Sequence, residues 1–238
     1  MQRRIFLLSA MLATVAPQSR AALQPTPSQG EGPFYPVQPI PLNNDLVHHA
    51  GGKAGGEWLE LIGAVRDTSG APLGDTLIEI WQCDAAGYYR HPRADLERVD
   101  RHFAGFGATR TSTAGEYHFR TLVPVPYTGR PPHIHVKLHR GERELLTSQI
   151  YLRGQEQENG VRRLFSAFSG DRGNLTIDPV ALADNVKRAS FDFVLNPLVL
   201  HAAPVPEPFA VCPDIKSVGR HKNISGISLE LVGLLFSG

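Results

Sequence analysis

The triplet His133-Ile134-His135 is the part of the sequence best suited to chemistry. On an extended segment alternate side chains point to the same side, so both imidazoles would face one spot. Two converging imidazoles form half of a transition-metal site. Arg130 lies three residues before the first histidine and Tyr127 six residues before it, which adds a permanent positive charge and a phenol. The stretch therefore predicts a metal site with a charged group beside it.

Two further motifs flank the histidines. The upstream run Ile80–His91 reads I-W-Q-C-D-A-A-G-Y-Y-R-H, and the downstream run Thr147–Tyr151 reads T-S-Q-I-Y. Together the three motifs resemble the intradiol ring-cleaving dioxygenases, specifically the protocatechuate 3,4-dioxygenase-like group. That group has the pattern W-Q-x-(D/N)-A-x-G-x-Y, then a tyrosine followed by R-x-x-H-I-H, then T-x-Q-x-Y. The segments Gly32–Pro36 and Gly105–Thr111 also match, so the resemblance covers most of the chain, from about residue 30 to about residue 195.

The resemblance implies four protein ligands for a non-haem ferric iron, Fe(3+): Tyr89, Tyr127, His133 and His135. Phenolates are hard anionic donors that favour Fe(III), and two neutral imidazoles complete a set that leaves room for water and then for a catecholate. In the tyrosine pair of the upstream motif, the family spacing G-x-Y counted from Gly87 selects Tyr89 and leaves Tyr88 at the variable position.

The resemblance also implies roles for residues around the metal. Tyr127 would leave the iron when a catechol binds and would accept one of its protons. Arg130 would stabilise negative charge on the bound catecholate without ligating iron, because its guanidinium is always charged. Gln149 would form hydrogen bonds within the pocket. The implied reaction joins a catechol-type substrate and O2 to give a cis,cis-muconate-type diacid.

Two other function classes account for part of the same pattern. A cupin-like Fe(II) or Zn metalloenzyme would use His133 and His135 with a carboxylate, but it leaves the tyrosine motifs unexplained. A non-catalytic exported β-sandwich that acts as a binding module would explain the fold but would make the clustered tyrosines, histidines and arginine a coincidence. The colour of the purified protein separates them, because phenolate-to-Fe(III) charge transfer is red-brown.

The other histidines and the two cysteines are expected to play no part in metal binding. His139 would lie two strand positions beyond His135 on the same face. His91 is expected to support the loop that carries the tyrosines. The two cysteines, Cys83 and Cys212, could pair in an oxidising compartment, but Cys83 lies in a core motif where a buried free thiol is the usual outcome.

Composition narrows the range of partners. The chain has 238 residues, and 42% of them are hydrophobic, which is enough for a folded core. A net charge of +1 gives no electrostatic case for binding nucleic acid or an anionic membrane.

The protocatechuate-like branch fits better than the catechol 1,2-dioxygenases, which carry a long helical region before the core. A homo-oligomer is compatible with the sequence.

The first residues predict export. Arg3-Arg4 precede an apolar run, Ile5 to Ala16, and Ser19-Arg20-Ala21 offers a small-x-small cleavage site. The run is too short for a stable membrane anchor. The arginine pair resembles a twin-arginine signal, which exports folded proteins and would suit a protein that loads iron before it crosses.

The remaining pattern predicts an all-β protein, a β-sandwich of mostly antiparallel strands with long loops, in which the resemblance places the metal site between the sheets at one end. Short helices are possible at Val161–Phe168 and at Pro179–Asn185, the second capped by Asp178. The expected organisation is a signal peptide at 1–22, an extended arm at 23–56, the sandwich at 57–196 and a proline-rich tail at 197–238. Strand segments are expected as follows: 58–65, 76–81, 116–120, 132–138, 145–152 and 190–195.

Overall fold

The computed structural model describes residues 22–127, 129–155 and 172–196, together with Leu198 and Leu200. The signal-like segment, the helix predicted at Val161–Phe168 and almost all of the proline-rich tail lie outside these residues. Among the residues described, no helix is long and apolar enough to cross a bilayer.

Twelve strands are present in this part of the chain. In chain order they are β1 (His48–His49), β2 (Gly52–Lys53), β3 (Trp58–Asp67), β4 (Leu77–Trp81), β5 (Phe106–Arg110), β6 (Glu116–Leu122), β7 (His133–Arg140), β8 (Arg143–Leu152), β9 (Thr176–Ile177), β10 (Val180–Ala183), β11 (Val186–Ser190) and β12 (Phe193–Leu195). A short 3-10 helix, Gly173–Leu175, precedes β9.

The strands form two five-stranded sheets and one small hairpin, β1-β2. In the first sheet, β3 pairs with β6, β11 and β12, and β10 forms the edge. The second sheet has the order β5-β4-β7-β8-β9. Its four longer strands are antiparallel, whereas β9 pairs with β8 in parallel. The prediction of an all-β sandwich with mostly antiparallel strands is confirmed.

The alternation of side chains along β7 decides where the site lies. Ile134, Val136 and Leu138 are fully buried in the main core, which they share with residues of the first sheet such as Leu61 and Phe119. The two histidines of β7 must point to the opposite face, since successive side chains alternate. A separate aromatic cluster covers that face. The two histidines therefore lie on the far face of the second sheet, and not between the sheets where the site was predicted.

The helix predicted at Pro179–Asn185 is also wrong. Those residues form β10 and the turn into β11, and Asn185 adopts a left-handed conformation with φ of 57°. Asp178 does not cap a helix and instead pairs with Arg153 at 2.6 Å. Two valines, a leucine and three alanines within 180–189 support helix or strand equally well by composition, so the pairing of β10 with β11, and of β11 with β3, decides the outcome.

The arm predicted at 23–56 is partly regular and partly buried. It contains the hairpin β1-β2, and Leu46, Val47 and Ala54 belong to the main core. The strand expected at 190–195 is two separate strands, β11 and β12, which pair in parallel with successive parts of β3.

Candidate metal centre

Strand β7 brings the two predicted histidine ligands together. His133 and His135 are each only 1% exposed, and their Nε2 atoms lie 3.1 Å apart. Two imidazole nitrogens this close together could bind the same metal ion. On β4, Trp81 is the register partner of His135, and its indole stacks on that imidazole with ring centroids 4.8 Å apart and an interplanar angle of 7°.

Both imidazoles are in the protonation state that metal binding requires. Nδ1 of His133 donates to the carbonyl oxygen of Pro131 at 2.6 Å, which leaves Nε2 with a free lone pair. Burial, reinforced by the charge of Arg130, lowers the pKa of His133 to about 3. Burial also lowers the pKa of His135 well below its ordinary value, with smaller effects from His133 and Arg130. The two rings are therefore neutral near pH 7.

The turn after β4 delivers Tyr89, and not Tyr88, to the site. Oδ1 of Asp84 accepts hydrogen bonds from the amides of Ala86 and Tyr88 at 2.9 and 3.0 Å. Gly87 has φ of 87°, a left-handed conformation that a side chain would strain, and a Cβ there would lie 3.2 Å from Cβ of Tyr127. The geometry agrees with the register counted from Gly87, because Tyr89 is 3% exposed while Tyr88 is only partly buried.

The four predicted ligand rings contact one another in a closed circuit. Going round it, the centroid distances are 5.1 Å from Tyr89 to Tyr127, 5.6 Å from Tyr127 to His133, 4.6 Å from His133 to His135 and 6.1 Å from His135 back to Tyr89. The four rings thus come together from three segments: the turn after β4, the loop before β7, and β7 itself. The sequence motifs are 38 positions apart from Tyr89 to Tyr127, and only the fold brings them together.

The donor set fits a ferric ion. The hydroxyl of Tyr89 is buried, and no hydrogen bond of normal geometry reaches it from the described residues. Burial and the neighbouring Tyr127 raise its pKa well above the ordinary value, and the charge of Arg130 opposes that shift. A cation beside the oxygen would supply the missing partner and would favour the phenolate.

A carboxylate-based metal site does not form in this part of the molecule. Within the described ranges, no three His, Cys, Asp or Glu side chains gather in a group that could hold a metal ion. A metal at His133 and His135 would consequently depend on the phenols. The cupin-like alternative lacks its required carboxylate among these residues.

Arg130 is held beside the ligands by a short loop and by Gln149. A two-way backbone bridge links Arg130 with Tyr127, whose carbonyl oxygen accepts from the Arg130 amide at 2.7 Å. Nη2 of Arg130 donates to Oε1 of Gln149 at 2.7 Å. Gln149 stands opposite His135 in the β7–β8 register. The structure therefore brings all six predicted site residues into one region.

An N-terminal strap, residues 26–36, closes the far face of the sheet over the site. Its backbone joins β8 through the amide of Gln29, which donates to the carbonyl oxygen of Thr147 at 2.9 Å. Phe34 stacks on Tyr89 with centroids 4.5 Å apart. A Cβ on Gly32 would lie 3.2 Å from Cε1 of His135. The extended arm predicted for this segment is thus part of the wall of the site.

Beyond the predicted ligands, charged side chains of the strap and of the second sheet pair with one another. Lys137 is 6% exposed, pairs with Glu31 of the strap and lies over the ring of Tyr35 at 3.9 Å. Glu79 accepts from the Tyr35 hydroxyl at 2.8 Å and contacts Nε2 of His139 at 3.1 Å. His139 is therefore engaged in an ion-pair network away from the ligands, as its position along β7 predicted.

An open cavity of about 400 Å³ adjoins the rings of Tyr89 and Tyr127 and is large enough for a catechol. Its lining residues are Pro33, Phe34, Gly87, Tyr88, Tyr89, Ala94, Asp95, Tyr127 and Arg130. Phe34, Tyr89 and Tyr127 supply flat aromatic surface, and Arg130 supplies positive charge. The aromatic surface suits a small, flat ring, and Arg130 could bind an anionic group on it, whereas the exposed Asp95 adds one negative charge to the lining.

Two residues at the site were not predicted from the sequence. The Tyr151 hydroxyl donates to Oε1 of Gln149 at 2.9 Å, and the guanidinium of Arg172 lies 5.0 Å from the Tyr151 ring. Tyr151 ends the T-S-Q-I-Y motif, and its alternation with Gln149 could have indicated it. No sequence pattern around Arg172 predicts its place at the site, because the pairing of β9 with β8 brings it there.

The other described histidines range from exposed to buried, and Cys83 is buried. His48 and His49 are exposed, His102 and His118 are partly exposed, and His91 is buried beneath the tyrosine loop, where it accepts from the amide of Arg93. Cys83 is a buried free thiol whose pKa burial raises to about 12.

The chain is similar to known dioxygenases. A family profile described as Dioxygenase, the Dioxygenase_C model, matches residues 30–130. Hydroxyquinol 1,2-dioxygenase of Corynebacterium glutamicum is 31% identical over 219 residues, which are 80% of this chain and 70% of that protein. The protocatechuate 3,4-dioxygenase beta chain of Burkholderia cepacia is 35% identical over 136 residues, 51% of this chain and 57% of that one.

A solved structure shows the same relationship. The dioxygenase domain of a dioxygenase–carbohydrate-binding protein fusion from Streptomyces sp. SirexAA-E is 31% identical, with a TM-score of 0.57. The match covers 73% of this chain and 99% of that domain.

Proposed function

The chain belongs to the intradiol ring-cleavage dioxygenases, and from that premise we propose that it uses ferric iron to cleave a catechol-type ring between its two hydroxyl-bearing carbons. The other reactant is O2, and the product is a cis,cis-muconate-type diacid. The relatives act on hydroxyquinol and protocatechuate, as their names state. This chain spans 70% and 57% of their lengths, respectively.

The observation that carries the proposal is the closed circuit of two phenols and two imidazoles. We assign Tyr89, Tyr127, His133 and His135 as the ligands of the iron. When bound, the ferric ion draws electron density from the catecholate and makes its ring reactive toward O2. Two neutral imidazoles and two phenolates suit Fe(III) better than Fe(II), because the phenolate charge stabilises the higher oxidation state.

The protein residues have separate tasks at the catechol. Tyr127 lies on a loop and is only partly buried, so we assign it as the base that takes a hydroxyl proton at its phenolate oxygen. Tyr89 is stacked under Phe34 and enclosed, so it stays in place. Arg130 directs positive charge at the anionic substrate, and Gln149 fixes the orientation of that guanidinium.

Two measurements on one purified preparation test the function. The proposal expects a red-brown protein with about one iron per chain and oxygen uptake with at least one member of a panel of catechols, hydroxyquinol and protocatechuate included. Chelation should abolish both the colour and the uptake, and Fe(III) should restore them. A colourless protein that carries zinc or no metal and consumes no oxygen with any catechol would refute the assignment.

We also propose that the protein is exported through a twin-arginine-like signal. The support is Arg3-Arg4 before the apolar run and the small residues around Ala21. Exported protein should begin near Ala22 by intact mass. Changing Arg3-Arg4 to Lys-Lys should stall export, and continued export of that variant would exclude this route.

A further inference from the structure

The carboxamide of Gln149 is fixed at both ends. Its Oε1 accepts hydrogen bonds from Nη2 of Arg130 at 2.7 Å and from the hydroxyl of Tyr151 at 2.9 Å. Its Nε2 donates to the carbonyl oxygen of Gly30 in the strap at 2.7 Å. A rotation of the amide would break all three bonds, so the position of Oε1 is defined by partners on three different segments.

Arg172 lies over the ring of Tyr151, the residue whose hydroxyl donates to Gln149. It is 8% exposed, and its guanidinium carbon lies 5.0 Å from the centre of the Tyr151 ring. The pairing of β9 with β8, in which Thr176 is the register partner of Tyr151, fixes this approach. A cation over a phenol ring is attracted to the π electrons and withdraws density from the O–H, which makes the hydroxyl a stronger donor.

The contacts therefore run in one line from Arg172 through Tyr151 and Gln149 to Arg130. We propose that Tyr151 and Arg172 are positioning residues for Arg130, and that they act by holding Oε1 of Gln149 where it fixes the Arg130 guanidinium at the catechol cavity. The inference rests on the proposed function, in which Arg130 faces the bound catecholate.

The physical reason lies in the length of the arginine side chain. A guanidinium on a flexible stem occupies many rotamers, and a charge stabilises a reacting group only when its orientation is set beforehand. One nitrogen of the Arg130 guanidinium is held by a single oxygen atom, Oε1 of Gln149. If the Tyr151 donor is lost, that oxygen loses one of its two anchors, and Arg130 gains freedom at the place where the substrate binds.

A double-mutant cycle between Tyr151 and Arg130 tests the line of contacts. Tyr151→Phe keeps the ring and its contact with Arg172, and removes only the hydroxyl. It should lower kcat about 10-fold, the size of effect expected for one hydrogen bond in a charged network, with the iron content and the visible band unchanged. In an Arg130→Ala background the same substitution should change kcat by less than about two-fold, because the residue it positions is gone.

Variants of Arg172 provide the second arm. Arg172→Gln should lower kcat while the iron band persists, and Arg172→Lys should restore part of the loss, because the cation remains over the ring. The control is Tyr117→Phe, which removes another buried tyrosine hydroxyl, one that donates to the carbonyl oxygen of Phe191 at 2.7 Å in the main core. It should lower the melting temperature and leave kcat within about two-fold.

The outcomes separate this inference from the proposed function. A wild-type protein without iron or oxygen uptake refutes the function, and the positioning roles with it. An active, iron-loaded wild type in which Tyr151→Phe costs the same factor with and without Arg130, or costs nothing, refutes the positioning roles alone.

Discussion

The indole of Trp81 lies parallel to the imidazole of His135, with ring centroids 4.8 Å apart. The contact follows from the register of β4 and β7, in which the two residues stand opposite each other. Gly32 of the strap packs against the same imidazole. His135 makes no hydrogen bond through Nδ1 to the described residues, so packing and the contact of its Nε2 with Nε2 of His133 set its orientation.

Replacing Trp81 should therefore loosen His135 and reduce iron binding. Trp81→Leu leaves a cavity beside the imidazole and should cost roughly 2–4 kcal/mol of unfolding free energy. Iron per chain should fall below that of Trp81→Phe, which keeps a flat ring for stacking. Metal analysis and urea denaturation of the two variants check this. Equal iron content in Trp81→Leu and wild type would show that the stack does not position the ligand.

The two adjacent tyrosines give a matched pair. Tyr89→Phe should lose most of the ferric iron or its visible band, because it removes the buried hydroxyl that we assign as an iron ligand. Tyr88→Phe should keep both, because Tyr88 is partly exposed and its ring contacts Arg98 instead. Visible spectra and iron analysis distinguish them. The reverse result would place the ligand one residue earlier.

Arg130 separates catalysis from metal binding. Arg130→Ala leaves the four ligands intact, so the protein should stay coloured and bind a catechol. Its kcat/KM should fall by the equivalent of roughly 2–4 kcal/mol, the usual loss for one preorganised charge. Arg130→Lys should recover only part, since lysine lacks the planar fork. Steady-state kinetics measures this, and turnover near wild type in Arg130→Ala would exclude the role.

The buried Glu79 predicts a dependence of stability on pH. Burial raises its pKa, but hydrogen bonds from His139 and Tyr35 and the charges of His139 and Lys137 outweigh burial, so the pKa lies below its ordinary value. A carboxylate with a lowered folded pKa stabilises the fold above its unfolded pKa of about 4.3, and that stability is lost as pH falls through the folded value. The unfolding free energy should therefore drop below about pH 4.3.

Glu79→Gln isolates this contribution. Urea denaturation at pH 7 and at pH 3.5 should show a smaller difference for Glu79→Gln than for the wild type. Glu116→Gln, at an exposed position of β6, should keep the wild-type difference. If Glu79→Gln and Glu116→Gln respond alike, the network around Glu79 does not carry the pH dependence.

The sequence was sufficient for the local parts of the site. The alternation in His133-Ile134-His135 placed both imidazoles on one face, and the spacing from Gly87 selected Tyr89, because each inference depends on only a few neighbouring residues. The strands β3, β4, β6, β7 and β8 were predicted to within a few residues, because alternation and turn residues mark them.

Features set by distant pairing could not be predicted. Arg172 reaches Tyr151 only because β9 pairs in parallel with β8, and no local pattern encodes that. β10 was mistaken for a helix, because its short apolar run fits either period and the edge of the first sheet decides. The strap covers His135 through contacts between residues about 100 positions apart. The irregular sequence of the arm therefore did not indicate that it forms part of the wall of the site.

The most direct test of the four-ligand iron site is a crystal structure of the iron-loaded protein with diffraction data collected on both sides of the iron absorption edge. We expect one anomalous peak per chain inside the circuit of four rings, bonded to the oxygens of Tyr89 and Tyr127 and to Nε2 of His133 and His135. An iron peak elsewhere, or a peak at the histidines without both tyrosine oxygens, would contradict it.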